Sequence, residues 1–477
     1  MTLRSQVLSG LFWTGGARLL SQLLTWAITI FVMRLLSPGD YGLLAMATVF
    51  MGFLVLVAEA GLGAALVQAP EMDELKLRRI FGAVILIDSA LFVLQVAAAP
   101  AVAGFFSEER LVPIVQVLAL QFLLMIFTVL PVALLSRKMD FKHQSMVELA
   151  SAVCGSLSTL GLVLAGYGVW ALVIGNLVSA AFKAIAINLV APFLKRPDFS
   201  LADLRGVIVF GGQVTAARVL WFLYSQADIL IAGKLLGKEL LGFYSVSMHL
   251  ASLPVQKISS ILNQVAFPAF ARTQHDADQS ALYLLKAVRI LSFAAFPVLW
   301  GMSSVAPDLI TVLLGSKWDL AILPLQVLAL IMPIRMISYT IPTAIDGMGR
   351  PDIGVGNLIV ANLIMLPAFV IGSAWGLPGL CLAWAFASPP VFLLNLTRSL
   401  PVVNLGVRDV LGAMAMPAVC ASGMYGAVYL ARRSLVLEQQ GVFQLLALVG
   451  VGVAAYALLA TTLNMKVCKE ILELRHR

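Results

Sequence analysis

The chain has 477 residues, is 61% hydrophobic and only 12% charged, with a mean hydropathy of +0.97. Soluble domains carry about 25% charged residues, so this composition excludes a soluble globular enzyme. The net charge of +8 is spread over short loops, which excludes a basic nucleic-acid-binding module.

Apolar runs long enough to cross a hydrocarbon core of about 30 Å predict an all-α polytopic membrane protein with about fourteen transmembrane helices. The first six are expected near 9–33, 41–62, 80–105, 111–135, 145–166 and 168–193. The next six are expected near 206–233, 240–268, 284–313, 321–345, 353–374 and 376–397, and the last two near 408–431 and 441–464. The opening MTLRSQVLSGLFW places Arg4 before an apolar run. That run continues without a small-residue cleavage site, so it reads as a retained first span. Inner loops carry roughly three times as many Lys and Arg as outer loops, which puts both termini in the cytoplasm by the positive-inside rule. The outer set includes Arg34, Arg110, Lys234, Lys238 and Lys317.

The chain repeats itself. RLLSPGDYGLL at 34–44 returns as KLLGKELLGFY at 234–244, and the register extends back to align Arg18 with Arg218. A second echo sets AGYGVWAL at 165–172 against SAWGLPGL at 373–380, with Gly168 facing Gly376. Span one thus corresponds to span seven and span five to span eleven. An even shift of six spans gives two parallel six-helix lobes, and substrate sites lie between such repeats near the midplane. The expected division is an N-lobe over 1–200, a C-lobe over 201–400, and a C-terminal hairpin with a cytoplasmic tail over 401–477.

Span one carries Thr14, Arg18, Ser21, Gln22, Thr25 and Thr29 on one helical stripe, and span seven carries Thr215, Arg218, Ser225 and Asp228. Lipid cannot satisfy such groups, so they should face protein or water. Guanidinium forks suit a diphosphate. The candidate binding set for an anionic amphiphile is therefore Arg18, Arg218, Arg335, Lys183, Gln22 and Thr25. The alternative for each cation is a structural ion pair with an acidic helix neighbour. Asp88, Asp228 and Glu59 are candidates for coupling to H+ or Na+, with the same structural alternative. Pro254, Pro268, Pro297, Pro333 and Pro342 interrupt spans eight to ten, as in the broken helices of transporters.

Enzymatic motifs are missing: there is no glycine-rich phosphate loop, no HExxH, and no metal spacing among His143, His249, His275 and His476. Cys154, Cys381, Cys420 and Cys468 form neither a metal motif nor a disulfide framework. No cofactor and no metal are expected.

The phrase TGGARLLSQLLTWAITIFVMRLLSPGDYGLLAMATVF, followed by AEAGLGAALVQ, resembles the polysaccharide transporter branch (Wzx-like flippases) of the multidrug/oligosaccharidyl-lipid/polysaccharide exporter superfamily. The stretch YSQADILIAGKLLGKELLGFYSVSMHLASLPVQKISSILNQVAFPAF resembles the second lobe, and the likeness covers about residues 1–400. The resemblance implies a flippase for undecaprenyl-diphosphate-linked sugars in the bacterial inner membrane. It also implies two six-helix lobes around a cationic cavity, often with two extra helices. Arg18 and Asp228 sit within its phrases. Partners expected on this reading are a polyprenyl-diphosphate-linked glycan, the bilayer and a polysaccharide polymerase or assembly protein. Two rivals stand beside it: an ion-coupled multidrug antiporter of the same superfamily, and a membrane polysaccharide polymerase or ligase. The first should have an acidic cavity. The second should have a large extracytoplasmic loop with acid/base residues.

Overall fold

The computed structural model describes residues 22, 24–58, 74–138, 140–193, 195–200, 205–272, 277–434 and 441–463. Among the described residues every regular element is helical. In chain order they are α1 (Leu24–Leu35), α2 (Pro38–Ala58), α3 (Glu74–Phe106), α4 (Leu111–Met125), α5 (Val129–Arg137), α6 (Phe141–Leu164) and α7 (Val169–Val190). Then come α8 (Arg205–Arg272), α9 (Ala277–Ser304), α10 (Ala306–Leu313), α11 (Ile322–Ser338), α12 (Thr340–Gly347), α13 (Pro351–Ser373) and α14 (Gly376–Ser399). The last two are α15 (Val407–Ser434) and α16 (Val442–Leu463).

Among the described residues 11 helices are long and apolar enough to cross a membrane, or 12 when α4 and α5 count as one span bent by 44°. The expected fourteen differ from this count at three places. α1 is described only from Leu24, α4 and α5 are separated by a bend, and expected spans seven and eight run together in α8. The bend follows from Pro131, which lacks the N–H that would carry the helical ladder across the break. α8 is interrupted only at Gly237, whose φ of 80° is open to glycine and strained for other residues.

The chain forms two compact units: Met1–Phe222 with Gly237–Gly242, and Leu223–Leu236 with Phe243–Arg477. Within the first, α3 packs on α4, α4 on α7, and α7 on α6. Within the second, α9 packs on α11, α11 on α14, and α14 on α13. The same packing order is used twice. Each unit contains a hairpin whose helices approach through glycine. A Cβ on Gly175 would collide with Thr159, and one on Gly379 with the Gly372 carbonyl. The echoed Gly168 and Gly376 open α7 and α14 with φ of 55° and 70°. A side chain at either position would strain the hairpin turn it opens.

Leu189, Phe386 and Phe443 are at least three-quarters or nearly so exposed, at 80%, 74% and 78%. Large apolar side chains standing outward along helices of spanning length have lipid as their solvent. On the first unit, residues 195–200 strap across the start of α3. Arg78 Nε donates to the Arg196 carbonyl at 2.8 Å, Asp198 N–H donates to the Arg78 carbonyl at 3.0 Å, and Lys195 pairs with Glu74 at 2.9 Å.

Candidate functional site

The second unit buries a charged network at the meeting of α8, α11 and α14. Asp228 on α8 is 1% exposed. Its Oδ2 accepts from Tyr244 Oη at 2.5 Å and its Oδ1 from the Ile229 N–H at 2.8 Å. Tyr244 accepts in turn from Trp384 Nε1 at 2.7 Å. The guanidinium of Arg335, on α11, stacks over the Trp384 ring at 4.4 Å from its centroid, and Arg335 Nε donates to Tyr339 Oη at 2.7 Å. Tyr224 stands edge-on to Trp384 at 6.4 Å. Arg335, Asp228 and Tyr224 act on one another electrostatically.

Each member of this network answers a physical need. An ionised carboxylate in a dry interior requires several donors and a compensating cation. Arg335 supplies the cation, and its stack on indole stabilises it by about 2 kcal/mol when desolvated. Buried Tyr and Trp need partners for their polar tips, and here they give them to one another and to Asp228. The network ties three helices through one charge balance. Neutralising Asp228 would leave Arg335 uncompensated and so act directly on α11.

The first unit offers a different environment. Asp88 on α3 is 2% exposed, and its Oδ2 has no hydrogen-bond partner. Its helix neighbours Ile87 and Leu91 belong to an apolar cluster with Leu54 and Phe122. Two turns along the same helix face, Gln95 donates to the Val115 carbonyl at 2.9 Å while its Oε1 is left unpaired.

The other sequence candidates are distributed as follows. Gln22, Thr25 and Arg218 are half-buried, and each has an interaction partner. Thr29, from the same stripe, donates to the Thr25 carbonyl at 2.8 Å, so its hydroxyl serves the helix backbone. Lys183 lies 3.7 Å from Glu148 across the α6–α7 hairpin, both half-exposed. Arg18 and Glu59 lie outside the described residues. The structure therefore brings together Asp228 and Arg335, assigned separately by sequence, and adds Tyr244, Trp384, Tyr339 and Tyr224. One signal could have exposed them: polar-tipped aromatics inside apolar spans require partners.

The second unit also carries an apolar groove of 640 Å³ lined by α9, α15 and α16, including Pro297, Gly301, Met424, Gly452 and Tyr456. Tyr456 Oη crosses to the Phe293 carbonyl at 3.0 Å. Among the described residues no group of three or more His, Cys, Asp or Glu is placed to hold a metal.

Spanning helices in a twice-used packing order, with charges buried inside them, define a multi-pass helical membrane protein. The chain belongs to the family described as polysaccharide biosynthesis protein, which matches residues 31–323. It is 28% identical over 438 residues to the teichuronic acid biosynthesis protein TuaB of Bacillus subtilis, covering 89% of this chain and 88% of that one. It is 24% identical over 380 residues to the lipopolysaccharide biosynthesis protein WzxC of Escherichia coli, covering 78% and 76%. Its fold is similar to that of the lipid II flippase MurJ in an inward closed conformation. There the TM-score is 0.78 at 13% identity, over 95% of this chain and 99% of that one.

Proposed function

We propose that this protein flips a polyprenyl-diphosphate-linked glycan across the bacterial cytoplasmic membrane, by alternating access, for assembly of a surface polysaccharide. Family membership carries the reading: relatives named for teichuronic acid and lipopolysaccharide biosynthesis align along most of the chain. Both termini face the cytoplasm, the lobes divide near residues 200 and 400, and the protein is not an enzyme. The diphosphate is held by Arg18 and Arg218 with Gln22 and Thr25, and Lys183 and Arg335 supply further positive charge. The apolar groove beside α16 offers the isoprenoid chain a surface of its own kind.

Coupling to H+ or Na+ runs through Asp88, Asp228 or Glu59. The unpaired Oδ2 of Asp88 supports a site that exchanges its ion with solvent during the cycle. The charge balance between Asp228 and Arg335 supports a switch that moves α11. A polymerase or assembly protein receives the flipped unit.

Deletion of the gene should cause a polyprenyl-linked glycan to accumulate on the cytoplasmic leaflet, identified by mass spectrometry and by protection from an external glycosidase. Arg18→Ala and Arg218→Ala should reproduce that accumulation with wild-type protein abundance in the membrane. A deletion strain with no lipid-linked glycan but greater sensitivity to cationic drugs would replace this reading with a drug antiporter.

A further inference from the structure

A proline inside a helix vacates a carbonyl. Pro297 has no N–H to donate to the carbonyl of Phe293, four residues earlier in α9, although the helix runs on through the proline. In a hydrocarbon setting such a group needs a partner from elsewhere. Here the partner is a side chain of another helix. Tyr456 Oη, on α16, donates to the Phe293 carbonyl at 3.0 Å, and the two ring centroids stand 5.6 Å apart. The first unit meets the same need in the same way. Pro131 vacates the Phe127 carbonyl, and Asn188 Nδ2 on α7 donates to it at 2.6 Å beside the 44° bend between α4 and α5.

The hydrogen bonds of α9 on the two sides of Pro297 lead to different helices. Beyond the proline, Trp300 Nε1 donates to the Leu330 carbonyl at 3.0 Å and Ser303 Oγ to the Gln326 carbonyl at 2.9 Å, both on α11. Before it, the Phe293 carbonyl leads to α16, whose neighbour α15 packs along α9. α11 is also the helix that carries Arg335 of the buried charge network. A shift of α11 therefore reaches α9 through Trp300 and Ser303. Beside the break lies the apolar groove, with Pro297, Gly301, Met302 and Tyr456 on its wall. Across from Gly301 stands the flexible end of Met424, 3.6 Å from where a Cβ would be. The free volume lets the Tyr456 ring turn aside without disturbing a close-packed core.

We propose that Pro297 is a hinge inside α9 and that the Tyr456 hydroxyl is its latch. While the phenol holds the Phe293 carbonyl, α9 stays continuous, as in this structure. When α11 shifts, the stretch beyond Pro297 follows it, the helix bends at the proline, and the Tyr456–Phe293 hydrogen bond parts. One neutral hydrogen bond is a small barrier, so the latch closes again as readily as it opens. Tyr456 is a positioning residue that acts through the α9 backbone, and it gives the C-terminal helix pair a task in the cycle. The proposal rests on the transport reading only for what the bending serves.

The test is a double-variant cycle on the full-length protein in detergent. Tyr456→Phe keeps the ring and removes the hydroxyl, whereas Pro297→Ala restores the backbone donor that the hydroxyl replaces. Hydrogen exchange at the amides of Ala294–Phe296 and Val298–Gly301, corrected for intrinsic rates, reads the opening of the helix. It should rise about twofold to tenfold in Tyr456→Phe, the fold-change of one lost hydrogen bond, and fall in Pro297→Ala. In the Pro297→Ala background Tyr456→Phe should add nothing, because the carbonyl already has its partner. In cells Pro297→Ala should lose most polymer export at wild-type membrane abundance while its thermal stability rises. No rise in Tyr456→Phe, or an equal rise in both backgrounds, overturns the latch. Full export by Pro297→Ala overturns the hinge. The expected exchange cycle in a protein whose deletion strain accumulates no lipid-linked glycan supports the latch and removes the flippase reading instead.

Discussion

The two units use one packing order, but they treat buried charge in opposite ways. The second surrounds Asp228 with Tyr244, Trp384 and the stacked Arg335. The first leaves Asp88 on α3 with an unpaired oxygen near apolar neighbours. The two units share which helices touch, since backbone approach and side-chain volume decide that. They do not share what the helices carry. A satisfied network rigidifies its surroundings, whereas an isolated buried acid is costly in the charged form and suits a group that changes state during the cycle. The contrast is one of environment: a hydrogen-bonded carboxylate beside a cation in the second unit, and a carboxylate with one unpaired oxygen in the first.

The largest expected effect comes from unbalancing the paired network. Asp228→Asn and Arg335→Met should each destabilise the protein by about 3–5 kcal/mol, because each strands one buried charge. The double variant should recover much of that loss, since the two sites share one interaction. The readout is the temperature at which detergent-solubilised protein loses its monodisperse elution peak. Losses that simply add would mean the two charges do not compensate each other, and the contrast between the units would collapse.

A smaller structural effect, and a larger functional one, is expected at Asp88. Asp88→Leu removes an unpaired polar atom from an apolar setting, so thermal stability should hold or rise slightly. On the proposed coupling through Asp88, polymer export should nevertheless fall. If Asp88→Leu costs as much stability as Asp228→Asn, Asp88 is a structural charge and the two units are alike after all.

Much of this architecture was legible in the chain. Hydropathy placed nearly every helix, and the break at Gly237 falls between the spans expected near 206–233 and 240–268. The echo of Gly168 in Gly376 proved to be a shared backbone conformation. What the sequence could not provide was contact. Arg335 and Tyr339 stand one helical turn apart, and that pairing was readable. Tyr244 and Trp384 are 140 residues apart, and no periodicity in one sequence links them. Asp228 and Arg335 were consequently sorted into different roles, ion coupling and substrate binding, although the fold makes them partners.

The smallest expected effect sharpens the comparison from outside the membrane, where pairing is cheap. Asp198, in the strap over α3, accepts from the Ser200 N–H at 3.0 Å and from Arg79 Nε at 3.3 Å. Those donors, the Ser200 amide foremost and then Arg79, hold its carboxyl below the usual carboxylate range against a partial opposing effect of burial. A depressed value in the docked strap means that docking is favoured above the ordinary carboxylate pKa of about 3.9. That advantage fades as pH falls through the lower, docked value. Because the group is solvent-exposed, the effect should be modest and weakened by salt. Hydrogen exchange at the Asp198 and Ser200 amides, corrected for intrinsic rates, should be slow from pH 7 to about 5 and rise toward pH 3. Asp198→Asn should exchange faster at neutral pH and lose the pH dependence. An unchanged profile in that variant would show that the Arg78 and Arg196 backbone contacts hold the strap without the carboxylate, and that exposed pairing contributes nothing here that burial would have magnified.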